Sequence, residues 1–310
     1  AVLKDLEVTG FAAEGKALAR YQDQVIFIPF AAPGDRVDVR IRKVRKNYME
    51  AELLKLHHKS AWRIEPSCQH FGVCGGCKWQ HLAYEKQLAF KQQEVIEALR
   101  RIGKQNPDDF ECLPVKPAPE LFYYRNKLEF TFSNRRWLTS EDIQSGLELT
   151  DRNALGFHVP GLFDKVLNIE TCMLQAEPSN RIRLAARDFA QKNELTFFDL
   201  RENTGLLRNL IIRNTPSGEC MVVLVCSPGE EKARNALLRH LHELFPEISS
   251  LYYVENMKGN ASLDGLSPVL FSGKPLITEY MDGLRFALGP KSFYQTNSRQ
   301  AAVLYGVARE

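Results

Sequence analysis

The chain has 310 residues, 44% of them hydrophobic and 25% charged, which excludes a disordered or low-complexity protein and allows two or three domains, each with its own core. No apolar run approaches the roughly 20 residues of a membrane-spanning helix, and the opening AVLKDLEVTG lacks a signal peptide's basic-then-apolar pattern; a cytoplasmic protein with no membrane partner is expected. The net charge of +3 is small but unevenly spread: residues 36–63 hold nine Lys and Arg against three acids, a local charge of +6 that suits a polyanion such as RNA.

Residues 1–57 predict a small β-barrel of the oligonucleotide-binding type. Val25–Ile28 is a short apolar run ending at Pro29, and Pro33-Gly34-Asp35 is turn chemistry. Val37, Val39 and Ile41 then alternate with charged residues, as in a strand with one buried face. Glu14-Gly15-Lys16 punctuates an earlier pair of strands. The outward residues Arg40, Arg42 and Lys43 are candidates for contact with an RNA backbone.

A cysteine-rich stretch follows, CQHFGVCGGCKWQHLAYEKQ, and then a helix is predicted over 82–102. Its stripe of Tyr84, Leu88, Val95, Leu99 and Ile102 reads as core packing, and Gly103 as the stop. Residues 105–120 form a proline-bearing connector. Beyond it the spacing predicts a strand over 124–132, a polar excursion over 135–153, a strand over 155–158 and a helix over 177–193. A strand over 220–226, a helix over 230–245 and a strand over 251–255 make an α/β unit within an α+β segment. Near the end, SFYQTN (Ser292–Asn297) leads to Asn297, a good N-cap for a last helix, and the chain looks cut inside that helix.

Seven cysteines in a reducing compartment suggest metal or catalytic chemistry more than disulfides. Cys68, Cys74 and Cys77 form C-x5-C-x2-C, with Gly75 and Gly76 allowing a tight backbone path. For a fourth ligand, Cys172 in IETCMLQ is the preferred choice, with Cys112, Cys220 and Cys226 behind it; the last two flank an apolar strand, as buried structural cysteines do. Three neighbouring thiolates plus one distant one favour an iron–sulfur cluster over zinc, although His70 and His81 keep zinc open. The C-x3-C-x2-C spacing associated with radical enzymes is absent, so the cluster is expected to be structural.

Taken together, EGKALAR, PGDRVDVRI, CQHFGVCGGCKWQHLAYEKQLAFK, YRNKLEF, GFHVPGLFDKV, ETCMLQ and SFYQTN resemble the RNA uracil-C5 methyltransferases that use S-adenosylmethionine. The likeness is to the iron–sulfur branch that acts on 23S ribosomal RNA. The resemblance implies a multidomain chain: an OB-like TRAM barrel over 1–57 and a central α+β iron–sulfur domain over 58–81 and 105–283. Segments 82–104 and 284–310 would pack with a Rossmann-like methyltransferase domain of which only the entry segment is present. It implies a [4Fe-4S] cluster on Cys68, Cys74, Cys77 and Cys172, contact of Gln295 with the methyl donor or catalytic pocket, and RNA contacts at Arg125 and Lys127.

In that family a cysteine thiolate attacks C6 of the uracil, C5 of the resulting enolate takes the methyl group from S-adenosylmethionine, and a carboxylate removes the C5 proton as the cysteine leaves C6. Those groups would lie downstream of residue 310, so the chain is expected to bind RNA without methylating it, and the full-length protein to be a monomer. A non-catalytic RNA-binding module and a tRNA-directed uracil-C5 methyltransferase are the alternatives.

Overall fold

The computed structural model describes residues 1–12, 15–145 and 152–309, which divide into two compact units: residues 1–72 with 76–117, and residues 73–75 with 118–310.

In the first unit, β1 (Val2–Phe11), β2 (Ala17–Tyr21), β3 (Gln24–Ile28), β4 (Arg36–Val44) and β5 (Tyr48–His58) close into a barrel in the order β1-β2-β3-β5-β4. The alternation seen in the sequence is the cause. Val37 and Val39 point inward with Val8, Ala17, Ala19, Ile26, Ile28 and Ala51, while Arg36 and Arg40 point out. Gly34 sits at φ +90 in the turn before β4, a conformation that L side chains resist. Glu14 lies outside the described residues.

One charged pair sits beneath the barrel wall. Asp35 is fully buried and takes Arg63 through both carboxylate oxygens (Nε 2.9 Å, Nη2 2.7 Å), with further hydrogen bonds from the amides of Ala32 (2.6 Å) and Ser60 (2.9 Å). Arg63 also donates to the Phe30 carbonyl at 2.8 Å, which ties the segment after β5 to the loop before β4.

His81 is buried nearby, with Nε2 3.2 Å from the Ala31 carbonyl and Nδ1 without a hydrogen-bond partner. Burial first, and then Arg63, lower its pKa to about 4. Because the folded value lies below the unfolded one, its contribution is complete above pH 6.5 and is lost as pH falls from 6.5 towards 4. The loss amounts to about 3 kcal/mol. His81→Phe is expected to flatten the acid limb of a urea-unfolding series between pH 7 and pH 4; an unchanged slope would place the acid lability elsewhere.

Helix α1 (Tyr84–Arg101) forms where expected, and its end is marked by the Gly103 amide bonding the Ala98 carbonyl at 3.0 Å. The reading of its stripe as core needs correction. No α1 residue is buried, and Val95 and Ile102 are 53% and 84% exposed. The helix instead packs through Phe90, whose ring lies 4.3 Å from Phe11 and 5.5 Å from Trp62, with the Lys86 ammonium 5.0 Å from the Trp62 ring. Helical periodicity reports an apolar face, not what covers it.

The second unit is built on an eight-stranded sheet ordered β13-β12-β11-β10-β6-β8-β9-β7. Its strands are β6 (Lys127–Ser133), β7 (Arg136–Trp137), β8 (Ala154–His158), β9 (Val166–Asn168), β10 (Leu207–Asn214), β11 (Cys220–Cys226), β12 (Ile248–Glu255) and β13 (Val269–Gly273). Strands β11 and β12 run parallel, joined through α4 (Glu231–Leu244), which is the expected α/β unit. Helix α3 (Ser179–Lys192) packs with α4, the Phe189 and His240 rings stacking at 4.5 Å.

Among the strands not legible in the sequence are β10, β13 and β14 (Ile277–Met281), the last of which pairs with β15 (Leu284–Leu288) in a two-stranded ribbon. Strand β10 is buried from Leu207 to Arg213 although it carries two arginines and an asparagine there. Its polar letters are satisfied inside: Arg208 donates to the Asn256 carbonyl at 2.9 Å and lies 3.9 Å from the Phe198 ring. Strand β6 starts at Lys127 rather than at Tyr124, because Arg125 and Asn126 spend their backbone amides on the carbonyls of Leu174 and Thr296. The polar excursion holds β7 and the short helix α2 (Ser140–Gln144), entered through a Thr139–Asp142 capping box; residues 146–151 lie outside the described residues. The last helix, α5 (Ser298–Arg309), begins as predicted, with the Asn297 carboxamide oxygen accepting from the Gln300 amide at 3.0 Å. Among the described residues no helix is long and apolar enough to cross a membrane.

Candidate functional site

The segment Ser292–Asn297 lies between β15 and α5, outside any strand or helix, and exposure alternates along it from Ser292 to Thr296. Phe293 (85% exposed) and Gln295 face outward, while Tyr294 and Thr296 face partly inward. Its backbone is tied from beneath. Arg213 Nη2 donates to the Ser292 carbonyl at 2.7 Å, Asn126 Nδ2 to the Gln295 carbonyl at 2.9 Å and to Ser298 Oγ at 2.9 Å, and the Asn126 amide to the Thr296 carbonyl at 2.8 Å. The predicted residue Gln295 is therefore an exposed side chain on a pinned main chain.

Glu279 of β14 lies below this stretch, 1% exposed, with neither carboxylate oxygen in a well-formed hydrogen bond. Burial pushes its pKa up to about 7, against the pull of Ser298 and Arg213. Tyr294 is pushed up to about 12 by burial, with the charges of Glu279 and Tyr305 adding to it. Burial lowers the pKa of Arg213, and Glu279 opposes that shift.

The two residues predicted from YRNKLEF sit beside this group. Lys127 is half-buried and pairs across the sheet with Arg213; burial and that neighbouring guanidinium lower its pKa. Arg125 is also half-buried, and its Nε is enclosed without a hydrogen-bond partner. On the barrel, Arg40, Arg42 and Lys43 are exposed, but Arg40 and Arg42 both turn to Glu52 of β5, at 3.7 Å and 2.7 Å. Such exposed pairs are worth little in stability. They leave the arginines accessible while offsetting part of their charge.

Of the four cysteines assigned to a cluster, Cys68 and Cys77 belong to the first unit and Cys74 and Cys172 to the second. Cys68 is held locally, its amide donating to Gln80 Oε1 at 3.1 Å and its carbonyl accepting from Phe71 at 3.0 Å. Gly75, next to Cys74, bonds the His158 carbonyl at 3.1 Å, and a Cβ there would meet that oxygen at 2.5 Å; only glycine permits this approach. Cys172 is buried, and one side chain pins it on both sides: Asn180 Oδ1 accepts from its amide at 2.8 Å and Nδ2 donates to its carbonyl at 3.1 Å.

Arg183 is fully buried on α3, bonded to the carbonyls of Ile169 and Glu170, with Nε unpartnered. Burial lowers its pKa to about 10, and the charges of Glu170 and Cys172 act against that shift. The donor types of the four cysteines fit a four-thiolate centre. Among the described residues, however, no three or more His, Cys, Asp or Glu are gathered as a metal site. Cys220 and Cys226 are buried in β11 with thiols pushed up to about 12, chiefly by burial, which makes them core residues. His81 Nε2 is spent on the Ala31 carbonyl.

Sequence reading passed over Asn126, Arg213, Glu279 and Tyr294. One signal was available: in Ile277-Thr278-Glu279-Tyr280-Met281, a carboxylate occupies the inward position between two buried apolar residues.

Residues 4–54 match the family model of the TRAM domain. The chain is 50% identical over 302 residues to a Bacteroides thetaiotaomicron protein and 48% identical over 310 residues to one from Porphyromonas gingivalis. These alignments cover 96% and 98% of this chain and 66% of each relative. A Chlorobaculum tepidum protein is 38% identical over 308 residues, covering 97% of this chain and 63% of that protein. All three are named uncharacterized RNA methyltransferases. Among solved structures, the Pyrococcus abyssi tRNA (uracil-54, C5)-methyltransferase in complex with S-adenosyl-L-homocysteine is similar with a TM-score of 0.71 and 25% identity, covering 98% of this chain and 64% of that one. Over nearly all of its residues the chain is similar to these proteins, and it spans just under two thirds of their length.

Proposed function

We propose that these residues are the RNA-recognising part of an S-adenosylmethionine-dependent methyltransferase that modifies C5 of a uridine in 23S ribosomal RNA. The observation that carries the reaction class is the likeness across nearly the whole chain to a uracil-C5 methyltransferase holding S-adenosyl-L-homocysteine. The TRAM match and the basic face around Arg40, Arg42 and Lys43 support an RNA partner, with Arg125 and Lys127 as further contacts. Gln295 is assigned to the methyl donor or its pocket. Cys68, Cys74, Cys77 and Cys172 are assigned to a [4Fe-4S] cluster, on their spacing and thiolate chemistry, which supplies a structural brace. Segments 82–104 and 284–310 are assigned to packing against a methyltransferase domain, which would cover the exposed stripe of α1.

The nucleophile is not placed among these residues. Cys220 and Cys226 are buried, high-pKa thiols and make poor nucleophiles at neutral pH. A second reading, modification of tRNA, is favoured by the likeness to a tRNA (uracil-54, C5)-methyltransferase.

The test is donor-dependent methylation by the complete gene product, offered unmodified 23S rRNA fragments and unmodified tRNA separately, with the 310 residues alone assayed in parallel. Methylation of the rRNA at uridine C5, with RNA binding but no transfer by the 310 residues, is expected. Transfer to tRNA alone would replace the substrate assignment, and transfer by the 310 residues would overturn the placement of the nucleophile. Iron and sulfide analysis of anaerobically purified protein tests the cluster; colourless protein rich in zinc would sink it.

A further inference from the structure

We propose that Asn126 is a positioning residue that holds the main chain of Gln295 so that its side-chain amide is presented to the methyl donor. The inference rests on the assignment of Gln295 given above. Gln295 lies between β15 and α5, outside any strand or helix, and each residue there has two soft dihedrals. An exposed carboxamide on such a stretch samples many positions unless the backbone is fixed from outside.

Asn126 supplies that fixation with every donor it has. One of its carboxamide N–H groups goes to the Gln295 carbonyl and the other to Ser298 Oγ, while its amide goes to the Thr296 carbonyl. Its own carbonyl accepts from the Asn214 amide at 2.9 Å, so the clamp is anchored to the end of β10. Arg213, one residue earlier on β10, holds the Ser292 carbonyl. The segment is thereby tied to one sheet at residues 292, 295, 296 and 298, while the outward side chains of Phe293 and Gln295 are not used in the attachment.

A purely structural role, as an anchor for the start of α5, is the rival explanation, and donor affinity separates the two. In the complete gene product, S-adenosyl-L-homocysteine affinity is measured by calorimetry for the parent, Gln295→Ala, Asn126→Asp and Ser298→Ala, with RNA affinity and Tm measured alongside. The Asn126→Asp change keeps the side chain's size but sets an acceptor against the Gln295 carbonyl in place of a donor.

The expected result is a loss of roughly tenfold for both Q295A and N126D and a smaller loss for S298A, the scale set by how steeply binding geometry depends on sub-ångström placement. RNA affinity should be unchanged, and the donor KM should rise with little change in kcat. Faster hydrogen exchange at residues 293–297 in N126D, with α5 still protected, is expected from the 310 residues themselves. Donor affinity within twofold of the parent in N126D and S298A, with Q295A impaired, overturns the inference. An unimpaired Q295A overturns the donor assignment beneath it. If N126D fails to fold, S298A decides alone.

Discussion

Asp35→Asn is expected to cost the barrel about 3–5 kcal/mol, because it strands the Arg63 guanidinium without a counter-charge in an enclosed site. The mechanism is desolvation rather than loss of attraction. Asp35 is fully buried and the Arg63 side chain is 16% exposed, and removing the carboxylate leaves a largely enclosed charge uncompensated. Replacing both by apolar residues should recover part of the loss, since a buried pair often does no better than a well-packed hydrophobic contact. Recovery should be incomplete here. Asp35 also accepts from the amides of Ala32 and Ser60, and these two donors would remain orphaned in the double variant. Urea unfolding of the single and double variants measures both effects. A single variant within about 1 kcal/mol of the parent would show that water reaches Arg63 in the folded barrel.

Glu279→Gln is expected to stabilise the protein at pH 8 by up to about 3 kcal/mol and to leave it unchanged at pH 4. The sign follows from the direction of the shift. Burial raises the folded pKa from 4.5 to about 7, so the protein favours the protonated carboxyl. That preference contributes fully below pH 4.5 and is lost as pH rises through 7, where the carboxylate must ionise while enclosed. Glutamine removes the loss. Arg213, Tyr294 and Ser298 are the groups facing it, and Arg213 alone carries a charge that eases ionisation. Comparing Tm for parent and variant at pH 4, 6 and 8 isolates this group from His81, whose effect runs oppositely and is complete above pH 6.5. Equal Tm values at pH 8 would mean that Glu279 is either hydrated or paired in solution.

The barrel, α1, α3, the β11–α4–β12 unit and the start of α5 were all legible as patterns. Each rests on a local rule: period-2 alternation around Val37 and Val39, 3.6-residue spacing in α3, turn chemistry at Pro33-Gly34-Asp35, and a capping asparagine at 297. Strand β10 was not, because its arginines and asparagines imitate a surface segment while their hydrogen bonds and ring contacts lie inside the protein. The stripe of α1 misled in the opposite sense. An apolar face was present, but Phe90, off that stripe, makes the aromatic contacts with Phe11 and Trp62.

The same division holds at the candidate site. Local spacing singled out Cys68, Cys74 and Cys77 and preferred Cys172 beside them, while Gln295 came only from the family resemblance of SFYQTN. What supports Gln295 could not be seen that way. Asn126 is 169 residues from it, Arg213 comes from a strand that reads as polar, and Glu279 lies on a ribbon that was not anticipated. Hydrogen bonds between such distant positions, and the burial that raises a carboxylate pKa, arise from three-dimensional neighbours alone. Composition and periodicity indicated the kinds of elements, and cysteine spacing together with the family resemblance indicated the candidate chemistry. Packing determined which polar groups lost water, which of them found partners, and which main chain they hold in place.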